Sequence, residues 1–265
     1  DIIHNDEDEN NKIDALEILQ DLVEDIDNAN DLARKGLGEI AHAMTYHLGD
    51  KDNEKASKIR ALSCWILSTL SQNNPIGQKA IIDQGILPIV SIVLKDNVDN
   101  VSYKALGIVS SVARGNNSGL HYFEQHKDSL LDILKRLLEE SSSKIITKTC
   151  VVLRHLCKSD DIRQVVVKEE ISNQLVNLMS NSSDNLVREM AIRALIKVLP
   201  SITNQDSLKE IVSLRLNTLS DSNSDLVDEI EVLRSLLSEL ENPSNQEEIQ
   251  QEPSENTPTP LLLSY

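Results

Sequence analysis

Aromatic residues are nearly absent from this chain. It has one Trp, one Phe and four Tyr in 265 residues, so any core must be aliphatic, built from Leu, Ile, Val and Ala. Glycine and proline are also scarce, at eight and seven, too few for the many turns of an all-β protein of this length. There are three cysteines, Cys64, Cys150 and Cys157. The last two stand roughly 10.5 Å apart along a helix, beyond the ~7 Å a disulfide spans, and all three read as small core residues. No apolar run approaches the ~18 residues of a membrane span, so membrane insertion is not expected. Positive charge is outweighed, 26 Lys and Arg against 43 Asp and Glu, for a formal net charge of −17. That balance excludes nucleic acid as the main partner, because phosphate binding needs a basic surface.

Catalytic signatures are missing as well. The chain has neither G-x-x-x-x-G-K-[ST] nor G-x-G-x-x-G, and no H-E-x-x-H, C-x-x-C or G-x-S-x-G. His42 and His47, like His121 and His126, are spaced by five, not by the four that sets two metal ligands on one helix face. The sequence therefore predicts no enzyme, no catalytic residue, no cofactor and no metal.

What is present is a repeat. Four stretches align without gaps: "IRALSCWILSTLSQ" (59–72), "VSYKALGIVSSVAR" (101–114), "IITKTCVVLRHLCK" (145–158) and "VREMAIRALIKVLP" (187–200), starting 42, 44 and 42 residues apart. The period falls in the range of armadillo and HEAT repeats. Columns one, six, nine and twelve are apolar in every copy and share one helix face. Column five reads Ser63, Ala105, Thr149, Ala191, small enough for a neighbouring backbone to come close. A second apolar helix lies at a fixed distance before three of the copies, and "NPIGQKAIIDQG" (74–85) marks a shorter helix before that, with Pro75 in its first turn and Gly85 as its stop. One such unit cannot bury its apolar faces alone, but stacked units can. The expected fold is an all-α armadillo-repeat solenoid, a right-handed superhelix of three-helix units with about four clear copies. Residues 12–25 and 27–48 read as two capping helices, and 205–220 and 222–241 as a C-terminal cap. The expected domains are an acidic disordered start (1–11), the repeat domain (12–241) and a disordered, acidic, Pro-containing tail (242–265).

Columns four, seven, eleven and fourteen step by 3, 4, 3 and make a second stripe on the last helix of each unit. It contains six Lys or Arg and no Asp or Glu. Armadillo arrays line their concave face with this helix. The candidate partner-binding residues are Trp65, Thr69, Gln72, Lys104, Ser111, Arg114, Lys148, His155, Lys158, Arg193 and Lys197. A basic groove on an acidic protein would steer and hold an acidic partner surface, with Trp65 as an anchor. The plainer reading is that these are the exposed positions of amphipathic helices.

The segment "DALEILQDLVEDIDNANDL" (14–32), with "SQNNP" (71–75) and "KALGIVSSVAR" (104–114), resembles an armadillo family of nucleotide-exchange factors for 70-kDa heat-shock chaperones, which has cytosolic and ER-lumenal branches. The resemblance covers residues 14–199. It implies a non-enzymatic co-chaperone whose curved array grips the nucleotide-binding domain of the chaperone and opens its cleft so that ADP leaves. Factor and nucleotide would then weaken each other's binding. The runner-up is a scaffold for acidic peptides. Import-type arrays bind basic peptides through regular Trp and Asn columns, and here those columns read Trp65, Gly107, Val151, Arg193 and Thr69, Ser111, His155, Lys197. A monomer is expected. The start at Asp1 and the acidic opening fit a processed lumenal chain better than a cytosolic one, and glycosylation sequons stand at Asn100, Asn116 and Asn181, no more than chance gives.

Overall fold

Many helices of this protein begin where a short polar side chain accepts one of their first amides. The computed structural model describes residues 3, 8–115, 117–219 and 226–242; most of the acidic start, Asn116 and the 243–265 tail lie outside those residues. Helix α1 (Glu9–Leu22) is capped by Asp8. The first unit is α2 (Ile26–Lys35), α3 (Gly38–Ala43) and α4 (Glu54–Ser71). The second is α5 (Pro75–Asp83), α6 (Leu87–Val93) and α7 (Asp99–Gly115). The third is α8 (Asn117–Gln125), α9 (Lys127–Glu140) and α10 (Ser143–Leu156), and the fourth α11 (Asp160–Lys168), α12 (Ile171–Asn181) and α13 (Asn185–Val198). A 3₁₀ turn, Leu199–Ser201, leads to α14 (Gln205–Thr218) and α15 (Val227–Glu241).

The caps are those the sequence carries. Asp25, Asn53, Asn74, Ser159 and Asp184 each accept a backbone amide at the start of α2, α4, α5, α11 and α13, a contribution of about 1 kcal/mol apiece. Pro75 opens α5, where its missing amide costs nothing. Gly85 at φ 67° turns the chain through 86° between α5 and α6. The matching turn between α11 and α12 is made by Glu170 at φ 63°, a conformation that strains a residue with a Cβ.

The last helices of the units stack side by side in one row, α1–α4–α7–α10–α13–α15. The four apolar columns are buried without exception, from Ile59, Cys64, Leu67 and Leu70 in the first unit to Val187, Ile192, Leu195 and Val198 in the fourth. Ser63 and Thr149, in the small column, are buried too and donate their hydroxyls to Ile59 O and Ile145 O, both at 2.8 Å. No strand occurs among the described residues, and the fold is the all-α armadillo solenoid that the repeat columns specify.

Two expectations need correction. Residues 27–48 are not one capping helix: Gly36, at φ 119°, divides them. The pieces α2 and α3 are the short and middle helices of the first unit. Gln84 fixes this break from the second unit, accepting Leu37 N at 2.7 Å and donating to Ala33 O at 3.2 Å. Nor does α15 merely close the stack, since it continues the row against α13. The segment between α3 and α4 is held by Arg60, which is fully buried and donates to Tyr46 O at 3.0 Å and His47 O at 3.1 Å.

Candidate partner-binding groove

The groove is the outward side of this row, and neighbouring helices build it jointly. Lys104 on α7 reaches back to α4, where its Nζ sits 3.5 Å from the centre of the Trp65 ring. One unit further on, Lys144 and Lys148 of α10 reach back to α7, 4.5 and 5.7 Å from the Tyr103 ring. The second and third units thus lay ammonium groups over an aromatic ring of the unit before, a contact worth about 0.5–2 kcal/mol. None of the ion pairs among the described residues involves these three lysines. Close approach of the helices makes the arrangement geometrically feasible: a Cβ on Gly107 would stand 2.4 Å from Ser68 Oγ.

The cations crowd one another. Burial, then the charges of Lys144 and Lys148, push Lys104 down to about 8. Burial and Arg114 lower Lys148. His155 is buried, not presented to solvent, at 7% exposure. Its burial and the surrounding Arg154, Lys158, Arg114 and Lys148 hold it down at about 3, so its ring is neutral at physiological pH.

The other residues of the stripe divide. Trp65, Thr69, Ser111 and Arg114 are half-buried, while Gln72 and Lys158 are exposed. Arg114 donates to Asn73 Oδ1 at 2.6 Å, and the Ser111 carbonyl accepts Gln78 Nε2 at 3.2 Å. The stripe is not acid-free in space. Arg193 is paired with Glu189 at 2.8 Å, and burial raises Glu239 of α15, with Lys197 close enough to offset part of that rise. The cationic surface therefore centres on the second and third units. Tyr103 and Lys144 were missed by the column reading because neither falls on the 3–4–3 stripe. The available signal was a Tyr directly before Lys104 in a chain with four Tyr.

The three thiols are free and buried, Cys150 and Cys157 pushed up to about 12 by burial. No group of three or more His, Cys, Asp or Glu among the described residues is placed to hold a metal. Glu124 accepts Ser159 Oγ at 2.6 Å and faces His121 Nδ1 at 3.3 Å. The serine there is a buried helix cap bonded to the acid, not a nucleophile bonded to the histidine. Of the sequons, Asn100 is exposed in the first turn of α7 and Asn181 is exposed at the last residue of α12.

No protein-family profile matches the chain. It is 26% identical over 196 residues to Hsp70 nucleotide exchange factor FES1 of Yarrowia lipolytica, covering 70% of this chain and 66% of that one. It is 28% identical over 158 residues to fes1 of Schizosaccharomyces pombe (58% and 52% covered) and 27% over 143 residues to Hsp70-binding protein 1 of Homo sapiens (54% and 38%). These relatives are named as Hsp70 nucleotide exchange factors and an Hsp70-binding protein. This is the family that residues 14–32 and the repeats resemble. The chain spans less than two thirds of the length of these relatives. Among solved structures, a designed armadillo repeat protein in complex with the peptide (KR)4 superposes with a TM-score of 0.68 at 17% identity, covering 88% of this chain and 95% of that one. An engineered protein superposes with a TM-score of 0.75 at 19% identity, covering 91% and 96%. At those identities the likeness carries the fold alone.

Proposed function

We propose that this chain is a nucleotide-exchange factor that binds the nucleotide-binding domain of a 70-kDa heat-shock chaperone through its groove and promotes ADP release, without being an enzyme itself. The observation that carries the reading is the cation–aromatic surface of the second and third units, in a chain whose relatives are named as Hsp70 exchange factors. Exchange needs no catalytic group. The factor must bind the open form of the chaperone better than the closed, nucleotide-bound form, and the difference in affinity is then the loss of nucleotide affinity. A rigid stack presenting pre-oriented cations suits that task, because little ordering is needed on binding.

The test is release of a fluorescent ADP analogue from a purified 70-kDa chaperone, with the wild type and with Lys104→Glu, Lys148→Glu. Acceleration by the wild type, lost in the variant, is the expected result. Acceleration by both would keep the function and move the contact surface. No acceleration of either a cytosolic or an ER-lumenal chaperone would overturn the exchange reading in favour of an acidic-peptide scaffold.

A further inference from the structure

Three ammonium groups crowd the groove without a counter-charge. Lys104, Lys144 and Lys148 take part in none of the ion pairs among the described residues, in a chain whose net charge is −17. Several other cations are matched with acids: Lys58 with Glu17, Arg60 with Asp96, Arg193 with Glu189, Arg188 and Arg215 with Glu229. The three lysines are instead held by rings, Lys104 over Trp65 and the other two over Tyr103. A ring positions an ammonium group without neutralising it, which leaves the positive charge available to another molecule.

We propose that Lys104, Lys144 and Lys148, floored by Trp65 and Tyr103, form a seat for two carboxylates on one acidic segment of the partner protein, set roughly 10 Å apart to match adjacent helices. The proposal rests on the exchange reading and names the chemistry of the partner at the contact. Arg193 and Lys197, with Glu189 and Glu239 beside them, lie outside the seat.

Binding through this seat is linked to protons. The groups that face Lys104 are Lys144 and Lys148 from α10 and the Trp65 ring from α4, and Tyr103 lies under the other two lysines. Tyr103 is raised by burial and stays neutral near pH 8. In the free protein Lys104 titrates at about 8. A docked carboxylate favours its charged form, so binding takes up protons and weakens as pH rises through that value. Between pH 7 and 9 the loss is about tenfold for a single amine whose bound pKa is two units higher.

The probe is an acetylated hexaglutamate peptide, and the readout is the emission of Trp65, the single tryptophan of the chain. Hexaglutamate at low salt should change that emission saturably and hexalysine should not. The change should vanish in Lys104→Gln, Lys148→Gln, and in Lys104→Met, Lys148→Met, which keeps the apolar stems. In parallel, the affinity of the full chain for the chaperone's nucleotide-binding domain is measured at pH 7 and pH 9 by calorimetry in two buffers of different protonation enthalpy, which gives proton uptake. No emission response to hexaglutamate, or wild-type ADP release by Lys104→Gln, Lys144→Gln, Lys148→Gln, would overturn the seat while leaving the exchange function standing. Saturable peptide binding by a protein that accelerates no chaperone would sink the exchange reading and keep the seat.

Discussion

Arg60 and Arg188 occupy the second column of the first and fourth units; Lys104 and Lys148 occupy the fourth column of the second and third. The arginines are almost wholly removed from water, and each is clamped by a carboxylate from the unit that follows, Asp96 at 2.7 Å and Glu229 at 2.8 Å. They also donate to the carbonyls that precede their own helices, Tyr46 and His47 for Arg60 and Ser182 for Arg188. The lysines are half-buried and have rings for neighbours instead of acids. The same solenoid thus places two kinds of charge on one row of helices. A cation buried with its acid joins one unit to the next, and removing either member leaves the other stranded. A cation crowded by its own kind costs the fold something and is relieved only by another molecule.

The comparison breaks most visibly at Glu229, which accepts both Arg188 and Arg215. Glu229→Gln should destabilise the chain by about 3–5 kcal/mol, as expected for breaking a buried pair, measured as a fall in the urea midpoint, and a loss below 1 kcal/mol would remove Glu229 from that class. Lys104→Glu, Lys148→Glu should do the reverse. ADP release from the chaperone should slow by at least about tenfold while the urea midpoint holds or rises, and a collapse of stability would erase the distinction drawn here. Gly77→Ala sharpens the part played by close packing at the joints. Its Cβ would lie 2.3 Å from Leu70 O, and the overpacking should cost about 1–3 kcal/mol in thermal unfolding. The smallest effect concerns the turns. Gly85 and Glu170 hold equivalent left-handed positions at φ 67° and 63°, so Glu170→Gly should stabilise the fourth unit by up to about 1 kcal/mol in the same assay.

The fold was legible in the sequence because its signal is repetition of a buried pattern. A column that reads Ile59, Val101, Ile145, Val187 can face only inward, and it does. The break at Gly36 was harder to see, since 27–48 lacks the proline that announces α5. Half of the groove was legible for a related reason: Trp65, Lys104 and Lys148 lie on a helical stripe. The rest depends on how one helix is rotated against the next. Tyr103 becomes part of the surface only because α10 brings Lys144 and Lys148 over it. His155 is buried although it lies on the stripe, because neighbouring helices close over its position. The pairing of Arg193 with Glu189 follows i, i+4 spacing, and a stripe that skips the third column passes over it.

Gly77 and Gly119 occupy the third position of α5 and α8, and at both the missing Cβ lets the helix rest on a carbonyl of the preceding row helix, Leu70 O and Val112 O. The second unit, which carries Tyr103 and Lys104, is therefore bracketed by two backbone-on-backbone joints with no side chain to yield between them. At the next joint α11 has no glycine. Arg163 spans it with a long side chain, bonded to Cys157 O at 2.8 Å. Lys104 therefore stands on the unit held at both ends by the shortest joints, while the joint after the third unit is bridged through a long side chain.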